Sequence, residues 1–126
     1  MESFFVKGKP VPQGSMKFIR AGVMIHSRAA DLAVWRADIA RTAQVYGYEP
    51  ISGGVKVEIQ FIFNRPKSVN RPFPTVAPDL DKLIRAVLDG LTGVAYVDDC
   101  QVILISSSKA YGETAGAWIK IEQIGI

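Results

Sequence analysis

Four aspartates, Asp79, Asp81, Asp98 and Asp99, fall within 21 residues of the chain. Asp79 and Asp81 follow Pro78 and open an apolar-periodic segment, where carboxylates often serve a structural end: they cap free N–H groups and complement the helix dipole. Capping accounts for one aspartate. Two, joined by an adjacent pair downstream, ask for more. Carboxylates held within a few ångströms repel and raise one another's pKa, and a hard divalent cation removes that cost. Oxygen ligands suit Mg²⁺, which keeps several waters and accepts phosphate oxygens, so such a site fits metal-assisted hydrolysis of a phosphodiester. The residues alone leave two readings open: a metal site, or helix capping plus a solvated Asp-Asp turn.

The elements that must position these acids are legible in the spacing. Leu80, Leu83, Ile84, Val87, Leu88 and Leu91 recur at i, i+3, i+4, i+7, i+8 and i+11. They predict one apolar stripe on a helix of about 12 residues, stopped by Gly93. Such a helix rises about 18 Å, and the roughly eight residues after it span up to about 26 Å when extended. Asp98-Asp99 can therefore return to the helix entry. Upstream, Val55, Val57, Ile59 and Phe61 alternate with Lys56, Glu58 and Gln60, which predicts a half-buried strand over 55–63. Residues 3–7 read as a first strand ended by Gly8, Pro10 and Pro12. A short strand over Val23–His26 is followed by Ser27 as N-cap of a helix to about Tyr46, with Leu32, Trp35, Ile39 and Ala43 as its stripe. Residues 101–108 and 115–123 read as closing strands. The expected fold is α+β: one domain over residues 1–126, a mixed β-sheet with two helices packed on it.

Between the long strand and the second helix, Asn64 to Pro78 holds four prolines together with Arg65, Lys67 and Arg71. That composition predicts a loop of about 14 residues, longer than ordinary connections and so a candidate for function. Lys17 and Arg20, flanking Phe18 in a turn-rich basic segment, are candidates for phosphate contacts, with Phe18 free to stack or wedge at a base step or else turn into the core. Lys82 and Lys109 complete the basic set. Each of these cations also reads as an ordinary surface charge. His26 fits a structural place better than a general base, and Cys100, a single cysteine, makes neither a disulfide nor a metal cluster. Asp89 lies four residues after Arg85 and fits a helix ion pair. Trp35 and Trp118 read as core.

Charge distribution supports a polyanionic partner. The net charge is +3, yet residues 1–75 carry 11 Lys/Arg against 5 Asp/Glu, and residues 76–126 carry 4 against 7. The 48% hydrophobic content fits a globular chain. No stretch approaches the roughly 20 apolar residues of a membrane span, and a cytoplasmic setting with no membrane partner is expected.

The run Pro78-Asp79-Leu80-Asp81-Lys82-Leu83-Ile84-Arg85, then Asp89-Gly90-Leu91, then Asp98-Asp99-Cys100-Gln101-Val102, resembles the signature of the RusA-type Holliday junction resolvases. That pattern is Asp-x-Asp-Asn-Leu-x-Lys, then Asp-x-Leu, then Asp-Asp-x-Gln-Val/Ile. The resemblance implies a homodimer that cleaves four-way DNA junctions with Mg²⁺. It matches the family's essential carboxylates to Asp79, Asp81 and Asp99, with Asp98 beside them, and its essential lysine to Arg85. It also places Lys109 near the site. Two residues depart from the pattern: Lys82 replaces Asn, and Arg85 replaces Lys, a planar fork in place of a compact charge. Rival readings are a module that binds branched DNA without cutting it, a simpler metal-dependent flap or nicking nuclease, and a small nucleotide phosphohydrolase. The acidic set argues against a pure binder, and the basic first half favours a long polyanion over a nucleotide.

Overall fold

Val55, Val57, Ile59 and Phe61 are buried and alternate with half-exposed or exposed Lys56, Glu58 and Gln60 along β2 (Val55–Phe63), as the period of two requires. A computed structural model describes residues 2–14 and 26–125. Lys17, Phe18, Arg20 and most of the expected strand over 23–26 lie outside the described residues, and His26 itself begins a helix. The described elements run β1 (Phe4–Lys7), α1 (His26–Val45), β2, α2 (Leu80–Leu91), a 3-10 turn at Asp99–Gln101, β3 (Val102–Tyr111) and β4 (Gly116–Gln123). No helix among them is long and apolar enough to cross a membrane.

The four strands form a mixed sheet in the order β1-β4-β2-β3, with β2 and β3 parallel and the other pairs antiparallel. Parallel neighbours need a crossover, and α2 supplies it. The link between β3 and β4 passes across the end of β2: Gly112 N–H donates to Phe63 O (2.9 Å), and Asn64 Nδ2 donates to the carbonyls of Gly112 (3.1 Å) and Glu113 (2.7 Å).

Trp35, Ile39 and Ala43 of α1 join Leu83, Ala86, Val87 and Leu91 of α2 over Phe4, Val6, Val57, Phe61, Ile119 and Ile121 of the sheet. The expected stripes thus face one shared core in an α+β fold. The helices cross closely at Gly90, where a Cβ would lie 3.2 Å from the Arg36 carbonyl oxygen and 3.3 Å from Ile39 Cβ. Trp118 departs from its expected core position. It is 46% exposed, on the opposite side of β4 from Ile119, with its ring 5.0 Å from that of Phe5. A tryptophan signals apolar burial in a sequence, but a sheet face that no described element covers leaves it at the surface.

Candidate functional site

The entry of α2 presents two carboxylates. Asp79 is the N-cap residue with extended backbone, and its carbonyl accepts from Lys82 N and Leu83 N (both 3.2 Å), yet its side chain makes no capping hydrogen bond. Capping therefore does not account for the Asp79 carboxylate. Asp81 is exposed and paired with Lys82 (Oδ2 to Nζ 2.8 Å), and that ammonium holds its carboxyl below the ordinary carboxylate value. Arg85, one turn further on, is exposed and makes no ion pair among the described residues. Asp89 does not pair with Arg85. It accepts from Gln13 Nε2 and lies 3.7 Å from Arg36 Nη1, tying the chain before the basic segment to α2. Gln13 N–H also donates to Lys82 O (2.9 Å).

The second acidic pair heads the 3-10 turn. Asp98 Oδ1 accepts from Cys100 N (3.0 Å), while Gln101 Oε1 accepts from Val97 N (2.9 Å) and Asp98 N (3.0 Å), a capping box. The Gln101 amide then donates to the carbonyls of Ile51 (2.7 Å) and Gly53 (3.0 Å). Both acids are exposed and side by side. The Cys100 N–H holds Asp98 below the ordinary value. Asp99 is pushed up, first by partial desolvation, then by the hydrogen bond and charge of Asp98 and the charge of Asp89, with Arg85 opposing. Asp98 also raises the Cys100 thiol, which fits an incidental cysteine.

The two pairs do not meet within one chain. The return from α2, long enough to reach the helix entry if extended, is folded at its start. Gly93 takes a positive φ of 85°, its N–H donates to Tyr96 O (2.7 Å), and buried Tyr96 donates its hydroxyl to Leu88 O (2.7 Å). Asp98-Asp99 then precede Val102, which pairs with Val55, whereas Pro78, next to Asp79, is bonded to Lys109, which pairs with Phe61. Seven residues of β3 separate these levels, about 23 Å along a strand. Among the described residues no three His, Cys, Asp or Glu side chains gather into a group able to hold a metal ion.

The basic residues collect near the Asp79 end. Arg65 lies over the ring of Tyr111 at 5.1 Å, and Arg71 Nε donates to the Tyr111 hydroxyl (3.0 Å), so the last residue of β3 gathers two cations of the proline-rich loop. Lys67 is exposed in a turn of the same loop. Lys109 Nζ donates to the carbonyls of Val76 and Pro78 (2.9 Å each). Sequence reasoning missed Tyr111 and the clamping by Gln101. A tyrosine closing a strand opposite an Arg-rich loop was the available hint for the first, and a glutamine three residues after Asp98 for the second.

A mixed sheet carrying two pairs of exposed carboxylates, with a cation-bearing loop near one of them, is the arrangement that the fold and site define. The family model described as endodeoxyribonuclease RusA matches residues 7–122, and the chain belongs to that family. It is therefore an endodeoxyribonuclease, a phosphodiester hydrolase of a family that acts on Holliday junctions. The chain is also similar to the uncharacterized protein YqaN of Bacillus subtilis strain 168, 28% identical over 135 residues that cover 96% of this chain and 95% of that protein.

Proposed function

We propose that the protein is a Mg²⁺-dependent endonuclease that resolves Holliday junctions as a homodimer by paired strand cuts, in a cytoplasmic setting of DNA recombination and repair. The observation that carries this reading is the uncapped, exposed Asp79 carboxylate at a helix entry of a RusA family member. The donor set fits the ion: Asp79, Asp81, Asp98 and Asp99 are exposed oxygen ligands, and Mg²⁺ needs only one or two carboxylates where water and substrate phosphate complete its shell. When bound, the metal supplies an activated water and neutralises charge on the phosphate. Arg85, free of ion pairs among the described residues, contacts the same phosphate. Arg65, Lys67, Arg71 and Lys82, with Lys17 and Arg20 outside the described residues, follow the DNA backbone.

Pairing of two copies reconciles the four acids with their separation. Among the described residues β3 is an edge strand, with Ile103 (66%), Leu104 (46%) and Ile105 (40%) exposed, and Val97 exposed beside them. Such an edge favours pairing with another strand. Trp35 is buried in its own subunit and so is not available for that contact. Two β3 strands set antiparallel about a two-fold axis bring Asp98-Asp99 of each copy to the level of Asp79-Asp81 of the other. The same axis matches the approximate two-fold symmetry of a four-way junction. Incubation with a labelled synthetic four-way junction, with and without Mg²⁺, tests the function. Symmetric nicks on two opposed strands that require the metal are expected; binding without cleavage leaves a branched-DNA binder, and cutting of one strand alone leaves a flap or nicking nuclease.

A further inference from the structure

Lys109 turns its ammonium toward the protein's own backbone. It pairs with Phe61, whose side chain is fully buried, so the parallel register sets Lys109 on the helix-covered side of the sheet, partly buried at the edge. Its ammonium donates to two converging carbonyls, Val76 O and Pro78 O, both at 2.9 Å. These belong to the last residues before Asp79. Among the described residues no other hydrogen bond joins Val76–Pro78 to the sheet. The remaining ties of the proline-rich loop are made further back, at Asn64, Arg65 and Arg71.

The entry of α2 presents a matching need. An N-cap side chain normally fixes where its helix begins by accepting an orphan N–H. Asp79 does not do so. Something else must fix the height and direction of the chain as it enters the helix, and charge-assisted bonds from a lysine to two carbonyls are stronger than neutral ones. We infer that Lys109 is a positioning residue: it holds the Val76–Pro78 backbone against β3 and so places the Asp79 carboxylate, leaving that carboxylate free for a cation. With two of its three donors turned to the protein's own backbone, Lys109 is poorly placed to serve as a point contact for phosphate. The inference rests on the proposed metal site, and one experiment separates the two.

Lys109→Met keeps the stem and removes the donors, Lys109→Arg keeps the charge, and Asp79→Asn removes the ligand. For each full-length protein, Mn²⁺ binding without DNA is measured from the free-ion electron paramagnetic resonance signal. The salt dependence of four-way-junction binding is measured in a metal chelator. Lys109→Met is expected to weaken Mn²⁺ binding at least ten-fold with the log–log salt slope unchanged, and Lys109→Arg to recover most of the loss. A slope flattened by about one with Mn²⁺ affinity intact marks a phosphate contact and overturns the inference. If Lys109→Met does not fold, Lys109→Gln, which keeps one donor, is read by the same two criteria. Mn²⁺ binding that Asp79→Asn leaves untouched defeats the metal-site reading itself, whereas a loss in Asp79→Asn without one in the Lys109 variants defeats only the positioning role.

Discussion

The two acid-bearing segments are held in opposite ways. Asp98-Asp99 sits in a turn fastened by its own neighbours: Asp98 caps Cys100 N–H, and Gln101, three residues on, saturates its amide on four backbone groups. The Asp79 carboxylate has no such local brace, and the chain leading to it is held from another strand by Lys109. The electrostatics diverge in the same sense. Asp81 has a neighbouring cation in Lys82, while Asp99 has a neighbouring anion in Asp98 and is pushed up. One segment is geometrically fixed and electrostatically unsatisfied, and the other is electrostatically satisfied in part but dependent on a distant tie. A cation placed between them would relieve the first and draw on the second.

The largest effects should come from removing ligands. Asp79→Asn, Asp81→Asn and Asp99→Asn should each lower single-turnover junction cleavage by orders of magnitude, with binding in gel shifts intact or tighter, because each removes a metal donor and a negative charge facing DNA. Near-wild-type cleavage in all three breaks the assignment of both segments at once.

Mixing these variants sharpens the comparison. If each site joins Asp79-Asp81 of one copy to Asp98-Asp99 of the other, a heterodimer of Asp79→Asn with Asp99→Asn has one doubly damaged site and one intact site. The mixture should regain single-strand nicking that neither variant shows alone. If both pairs served one site within a subunit, each site would keep one lesion, and mixing would restore nothing. Sedimentation of the unmodified protein should give about twice 13.8 kDa.

A smaller effect is expected at the turn itself. Gln101→Ala removes four hydrogen bonds, three of them exposed and one partly buried. Solvent replaces much of that, so the loss should be about 1–2 kcal/mol in urea unfolding, against a negligible change for Cys100→Ser at the exposed neighbouring position. Equal stability of the two variants contradicts the role given to Gln101.

How much of this was readable without coordinates follows from range. The stripe from Leu80 to Leu91 and the alternation from Val55 to Phe61 are local periodicities, and both elements form at the expected bounds. The aspartates are identifiable because their spacing and order are themselves the signal. The relative placement of the pairs is not local. It depends on the tight fold-back at Gly93 and Tyr96 and on β3 running parallel to β2, which sets the pairs at opposite ends of the strand. The partners of Lys109 and Tyr111 were not legible for the same reason: Val76, Pro78, Arg65 and Arg71 lie 31 to 46 positions away. Trp118 misled because burial depends on whether a second layer covers the sheet, which no residue of β4 encodes alone.

The smallest effect concerns the coupling of Asp98 and Asp99. After partial desolvation, the hydrogen bond and charge of Asp98 are the next causes that raise Asp99 above the ordinary carboxylate value. A metal takes the ionised form, so at limiting Mg²⁺ cleavage should fall as pH drops through the Asp99 pKa, and this acid limb lies higher than an unperturbed aspartate would place it. Asp98→Asn keeps an oxygen able to accept from Cys100 N–H but removes the adjacent charge. Asp99 then ionises more readily, and the limb should move to lower pH, whatever the change in the plateau. The position of the limb is the readout, because the plateau also records any loss of Asp98 as a ligand. A pH–rate series at fixed, subsaturating Mg²⁺ decides the matter: a limb that stays in place or moves upward shows that the two carboxyls do not titrate against one another, and removes the electrostatic half of the contrast between the segments.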